Sequence, residues 1–175
     1  NDLNRMYLKG LFSKDSVKMN STYPDANFTM RVSYGNVKSY APKDAVKYDF
    51  ACTISGVAAK YVKGDYEFDL PAKFLDLYKA KDFGEYADKK LNDVVVSFIT
   101  TNDITGGNSG SPVIDAKGNL IGLAFDGNYE ALSHKLAFDK DLNRTICVDV
   151  RYVLWCIDKL GGAKHIVDEL TLVRN

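Results

Sequence analysis

Short apolar runs, each closed by a turn signal, dominate this 175-residue chain. Phe28, Met30 and Val32 alternate with Thr29, Arg31 and Ser33, and the runs Val94 to Ile99, Pro112 to Ile114, Leu120 to Phe125 and Thr145 to Val148 come after them. Alternation with a period of two places one face of a strand in a core, so these are strand signals, with Gly35, Gly56 and Gly64 punctuating the first stretch. Asp115-Ala116-Lys117-Gly118-Asn119 reads as a hairpin turn. Helical spacing is confined to three places. Leu3, Met6, Tyr7 and Leu11 predict a short amphipathic helix ending before Ser13. Asp69 ahead of Leu70-Pro71 starts a second, with Phe74, Leu75 and Tyr78 on one face until Gly84. Val150, Val153, Leu154 and Ile157 form a third, followed by a Gly161-Gly162 break and a helical turn through Ile166 and Leu170. Strands closed by a terminal helix predict a mainly β fold, a six-stranded barrel half with a short N-terminal helix and a capping C-terminal one.

Charge and cysteine content remove several function classes. The 23 Lys and Arg are offset by 23 Asp and Glu, so the chain lacks the basic footprint by which nucleic-acid binders neutralise phosphates. No apolar stretch approaches the roughly 18 residues of a membrane-spanning helix. The first residues, Asn1-Asp2-Leu3-Asn4-Arg5, do not read as a secretory signal and suggest a mature form or an excised fragment. Cys52, Cys147 and Cys156 are odd in number and not spaced as metal ligands, so neither a disulfide framework, a metal site nor a cofactor is expected.

The chemistry concentrates in Thr105-Gly106-Gly107-Asn108-Ser109-Gly110-Ser111-Pro112. A serine between glycines on a tight turn entering a strand can expose its hydroxyl while nearby backbone N–H groups converge on one spot. Gly107 stands two residues before Ser109, and their two N–H groups make a candidate oxyanion hole. The plain alternative is a glycine turn between strands. Beyond the turn lie a strand, a hairpin turn and the apolar run Leu120 to Phe125, an order that resembles the surroundings of the nucleophile in chymotrypsin-like proteases. Ser109 is therefore the candidate catalytic residue.

A serine hydroxyl needs a general base held by an acid. His134 lies in a polar loop, and with Asp126 it would mimic the Ser, Asp, His order of a hydrolase whose nucleophile sits between a strand and a helix; Ser109 instead precedes a strand. His165 falls in the terminal helical segment. In the chymotrypsin-like order the base and acid come before the serine, yet no histidine precedes Ser109. The expectation is that they lie on preceding polypeptide and that this chain alone is nearly inert.

Four stretches carry a more specific likeness: Tyr23 to Arg31, Thr105 to Pro112, Gly122 to Glu130, and Val148 to Leu154. Together they resemble the C-terminal part of the bacterial dipeptidyl-peptidase 7 and 11 family, chymotrypsin-related serine exopeptidases with an inserted helical domain. The resemblance implies residues 1–20 as the remnant of an upstream helical domain and 21–175 as the C-terminal β-barrel of a two-barrel peptidase. It implies release of dipeptides from peptides with a free N-terminus, and export to the periplasm or cell surface. The implied partners are those substrates, the missing barrel and helical domain, and a second copy in a homodimer. It gives Asp126 the substrate ammonium to hold and Gly127 a wall of the pocket for the residue before the scissile bond. Where the family carries arginine at that place the preference is acidic; glycine points to a hydrophobic residue and places the chain closer to the dipeptidyl-peptidase 7 branch.

Three other readings stay open. Asp103 lies six positions before Ser109, where trypsin-like enzymes keep the carboxylate that selects Lys or Arg, although it reads equally as a turn residue. A trypsin-like endopeptidase is one alternative, and a catalytically dead barrel serving as a binding module is another. Asp126 and Gly127 likewise read, without the resemblance, as residues of a strand-end turn.

Overall fold

The computed structural model describes residues 2–15, 30–133 and 138–173. The chain divides into two compact units, residues 1–32 and 33–175. In the first, helix α1 (Asp2–Lys14) buries none of its residues. It runs past the predicted stop at Ser13, whose hydroxyl donates to the Gly10 carbonyl at 2.8 Å. Met30 and Val32 stand exposed and belong to no strand, against the alternation read there. Phe28 and the stretch from Tyr23 to Thr29 fall outside the described residues, as does His134.

The second unit is built on strands β1 (Tyr40–Lys43), β2 (Val46–Tyr48), β3 (Ala51–Thr53), β4 (Val95–Thr100), β5 (Pro112–Ile114), β6 (Leu120–Gly127) and β7 (Thr145–Asp149). β1 and β2 form their own hairpin, and the other five make an antiparallel sheet in the order β3-β4-β7-β6-β5. This corrects the expected six-stranded closure. Among the described residues β3 and β5 remain the two edges, because β1 pairs with β2 rather than bridging them. No described helix is long and apolar enough to cross a membrane.

Register explains which side chains face each other. Phe98, Cys147 and Ala124 align across β4, β7 and β6 and are buried together. Gly122 lies beside this row because nothing larger fits. A Cβ there would meet the Val148 carbonyl at 2.4 Å and the Phe98 ring at 2.8 Å. Burial pushes the Cys147 thiol up to about 11, so it stays a protonated, unreactive core group. All three cysteines are free.

The larger core lies under the helices. Helix α2 (Ile54–Ala59) was not foreseen, since Gly56 read as turn punctuation; its N–H at Ile54 donates to the Val94 carbonyl at 3.0 Å and the Ile54 side chain is fully buried. Helix α3 (Ala72–Ala80) starts later than Asp69 and ends at Lys81, whose φ of 53° terminates it before Gly84. Its Phe74 meets Trp155 edge-on at 5.5 Å. Helix α4 (Val150–Trp155) and the wider turn Cys156–Leu160 carry Trp155, fully buried, whose indole N–H donates to the Asp82 carbonyl at 3.0 Å. After Gly162, at φ +69°, α5 (Lys164–Asp168) adds the buried Val167.

Arg151 ties α4 to the loop ahead of β4. It grips Asp149 through Nε to Oδ1 at 3.0 Å and Nη2 to Oδ2 at 2.9 Å, and donates from Nη1 to Asp88 Oδ2 at 3.0 Å. Asp149 also caps α4 by accepting the Arg151 N–H at 2.8 Å. The Arg151 guanidinium, then the N–H groups of Leu91 and Lys90, hold the Asp88 carboxyl below its ordinary value. A depressed carboxylate adds stability that is complete above the unfolded value, about 3.9, and is lost as pH falls through the folded one. Arg151→Ala is therefore expected to cost about 1–2 kcal/mol at pH 7, a figure held down by solvent around a side chain 38 % exposed. The deficit should narrow below about pH 4. Unfolding followed by Trp155 fluorescence checks it; a deficit unchanged at acid pH would contradict the Asp88 assignment.

Candidate active site

The turn holding Ser109 is shaped by glycine and by Asn108. Gly107 has φ +103° and Gly110 φ +83°, both in the region that residues with a Cβ avoid. Asn108 closes the turn twice: its N–H donates to the Thr105 carbonyl at 3.1 Å and its Oδ1 accepts the Thr105 N–H at 3.0 Å. The turn is then fastened to β6. Gly110 N–H donates to the Ala124 carbonyl at 2.7 Å, and Ala124 N–H to the Ser111 carbonyl at 2.9 Å. Ser109 is left exposed, with Oγ donating over 3.3 Å to the carbonyl of Phe125, 16 residues on. Among the described residues no acceptor takes the N–H of Gly107 or of Ser109.

Phe125 holds that position because β6 bulges. Ala124 pairs with Cys147 and Asp126 with Ile146, so two steps on β6 match one on β7 and Phe125 is the extra residue. Asp126 comes next, exposed, with Oδ1 accepting the Gly127 N–H at 2.8 Å. Gly127 is half-buried, and a Cβ there would come within 3.1 Å of the Ala131 methyl.

Ser109, Asp126, Gly127 and Asp103 line one cleft of about 210 Å³. That is below the roughly 300 Å³ at which pockets for whole small ligands begin, so the space suits a single side chain. The backbone ahead of the turn is braced by an extended strip. Asn36 accepts the Thr101 N–H at 3.0 Å through its carbonyl, and the Ser33 hydroxyl donates to the Asp103 carbonyl at 2.7 Å. Gly35 permits this approach, since a Cβ would lie 2.7 Å from the Asn102 nitrogen. The structure thus brings Ser109, Asp126, Gly127 and Asp103 to one place, with Gly107 on the turn beside them. His165 is exposed on α5 and does not line the cleft.

Residues that the sequence reading did not select complete the wall. Asn128 and Arg144 are buried beside Gly127, and their contacts join segments far apart in the chain. Only the turn residues carry a local signal; Arg144 in an otherwise polar loop carries none.

A family model described as Peptidase S46 matches residues 1–172. The chain belongs to the S46 peptidase family. It is 56 % identical over 174 residues to a dipeptidyl-peptidase 7 of Capnocytophaga gingivalis, covering 97 % of this chain and 24 % of that protein. It is also 47 % identical over 173 residues to an Asp/Glu-specific dipeptidyl-peptidase of Flavobacterium psychrophilum, covering 99 % and 24 %. The crystal structure of Porphyromonas endodontalis DPP11 in complex with the dipeptide Arg-Glu superposes with a TM-score of 0.84 at 38 % identity, covering 94 % of this chain and 23 % of that one. The chain spans about a quarter of the length of these S46 relatives. A dipeptidyl-peptidase 7 and an Asp/Glu-specific dipeptidyl-peptidase thus both match along nearly the whole chain.

Proposed function

We propose that this chain is the serine-bearing C-terminal segment of an S46 dipeptidyl-peptidase that removes dipeptides ending in a hydrophobic residue from free peptide N-termini. The observation that carries this is the meeting of Ser109, Asp126 and Gly127 at one side-chain-sized cleft, beside a turn whose Gly107 and Ser109 N–H groups meet no acceptor among the described residues. In this reading Ser109 Oγ attacks the carbonyl carbon of the second residue, and its proton passes to an imidazole on the preceding polypeptide. The oxygen that becomes negative is received by the N–H groups of Gly107 and Ser109. The C–N bond then breaks, the imidazolium protonates the departing amine, and water releases the dipeptide from the Ser109 ester.

Asp126 receives the substrate ammonium through the oxygen its own turn leaves over, which limits the product to two residues. The sheet is, on this proposal, the second half of a chymotrypsin-like pair of barrels, α1 is the end of an inserted helical domain, and the enzyme works outside the cytoplasm. Support for each comes from the family membership and the resemblance of the Ser109 turn.

Gly127→Arg in the full-length protein tests the pocket. The new guanidinium should move the ratio of kcat/KM for Asp over Leu substrates by about 10²-fold toward Asp, since an introduced partner rescues an otherwise unpaired carboxylate. The starting preference should be for Leu. Including Lys in the matched set checks Asp103, because a Lys preference in the parent enzyme would favour the trypsin-like reading. An unmoved Asp-to-Leu ratio would remove Gly127 from the pocket wall.

A further inference from the structure

Asn128 follows Gly127 directly and is 7 % exposed, and each of its hydrogen-bonding groups is committed. Its Oδ1 accepts the Arg144 N–H at 2.8 Å. Its Nδ2 donates to Glu130 Oε2 at 2.8 Å and to the Leu142 carbonyl at 2.9 Å. On the main chain its N–H donates to the Arg144 carbonyl and its carbonyl accepts the Ala131 N–H, both at 2.9 Å. It has no donor left to offer a substrate.

The partners are themselves anchored. Arg144 is 2 % exposed, and its guanidinium donates to four carbonyls: Lys38 at 3.1 Å, Ser39 at 3.2 Å, Lys140 at 3.1 Å and Asn143 at 2.7 Å. It also lies 5.4 Å over the Tyr40 ring. The Tyr40 hydroxyl donates to the same Glu130 oxygen at 2.8 Å, and burial, with Glu130 beside it, keeps that hydroxyl protonated. β1, the loop before β7 and the turn after β6 thus share one polar frame, which reaches the cleft at Asn128 and Arg144.

We propose that Asn128 is a positioning residue for substrate selection, holding Asp126 and Gly127 in register with Ser109 through the Arg144 and Glu130 frame. The inference rests on the dipeptidyl-peptidase reading above and assigns a role to a residue which that reading leaves idle. Asn128→Asp is the sharpest test because it keeps size and shape while turning two donors into a charge. Around the new carboxylate stand Glu130 on the following turn, the Tyr40 hydroxyl bonded to the same Glu130 oxygen, and, over the Tyr40 ring, the Arg144 guanidinium. Two carboxylates within hydrogen-bonding reach do not both ionise freely, so at alkaline pH the pin becomes a repulsion.

In the full-length enzyme at pH 8, Asn128→Asp is expected to raise KM for a dipeptide substrate about tenfold, with kcat changed by less than about threefold. Adding Glu130→Gln supplies a neutral donor opposite the new carboxylate and should return KM to within about threefold of the parent. Lowering the pH to 6 should narrow the ratio of variant to parent in the single variant, because one proton shared between the carboxylates restores the bond. Partial misfolding would instead reduce the active fraction, lowering the apparent kcat at an unchanged KM. A single variant with unchanged KM, or a loss that neither rescue relieves, overturns the positioning role while leaving the peptidase reading standing. A parent enzyme without dipeptide release overturns both.

Discussion

Ser109→Ala in the full-length protein is expected to lower kcat/KM on dipeptide substrates by about 10⁴- to 10⁶-fold, the scale on which a lost nucleophile acts. The fold should be unaffected, because Ser109 is exposed and its Oγ makes one long bond to the Phe125 carbonyl. Circular dichroism would confirm that the fold is intact. Steady-state kinetics on a chromogenic dipeptide, with an alkyl fluorophosphonate to label the parent, measures the loss. Turnover within tenfold of the parent would remove Ser109 from the chemistry and would favour the view of the sheet as a binding module. The isolated chain, carrying Ser109 without an upstream histidine, should be as poor a catalyst as this variant.

Asp126→Asn is the second large effect. An ammonium about 4 Å from a carboxylate gains about 4 kcal/mol at an effective dielectric of about 20, part of which is spent on desolvating the two ions. A net change of about 10²-fold in the inhibition constant of a free-amine dipeptide is the expected result. The amide keeps an Oδ1 acceptor for the Gly127 N–H, so the local turn survives the substitution. Acetylated dipeptides, having no ammonium, should bind parent and variant alike. Equal losses for both ligands would mean that Asp126 shapes the cleft rather than holding charge, and efficient cleavage of a blocked peptide would point to an endopeptidase.

How far the residues alone could be read depends on the range of the physics involved. The Gly107-to-Gly110 turn was legible because a positive φ is a local constraint that glycine satisfies by itself. The hairpin at Asp115 was legible for a similar reason: its Oδ1 accepts the N–H groups of Lys117 at 2.8 Å and Asn119 at 2.9 Å, all within five residues. Helix α2 was missed because its stability comes from tertiary contact, with Ile54 buried against Val94, and Gly56 meets no obstacle within it. The open sheet escaped notice because strand count says nothing about which strand pairs with which. β1 satisfied itself with β2. Arg144 was invisible for the most physical of reasons. A buried cation is expected to find an anion, and this one finds four carbonyls, two of them more than a hundred residues away in sequence.

The bulge at Phe125 bears on how such a chain tolerates length changes. Losing one residue between Ala124 and Asp126 would let β6 straighten into regular pairing with β7, with Asp126 and Gly127 keeping Ile146 and Thr145 as partners. The carbonyl that receives the Ser109 hydroxyl would be lost, while the pairing of the sheet was kept. A three-base deletion here would therefore change the setting of Ser109 more than it changed the sheet.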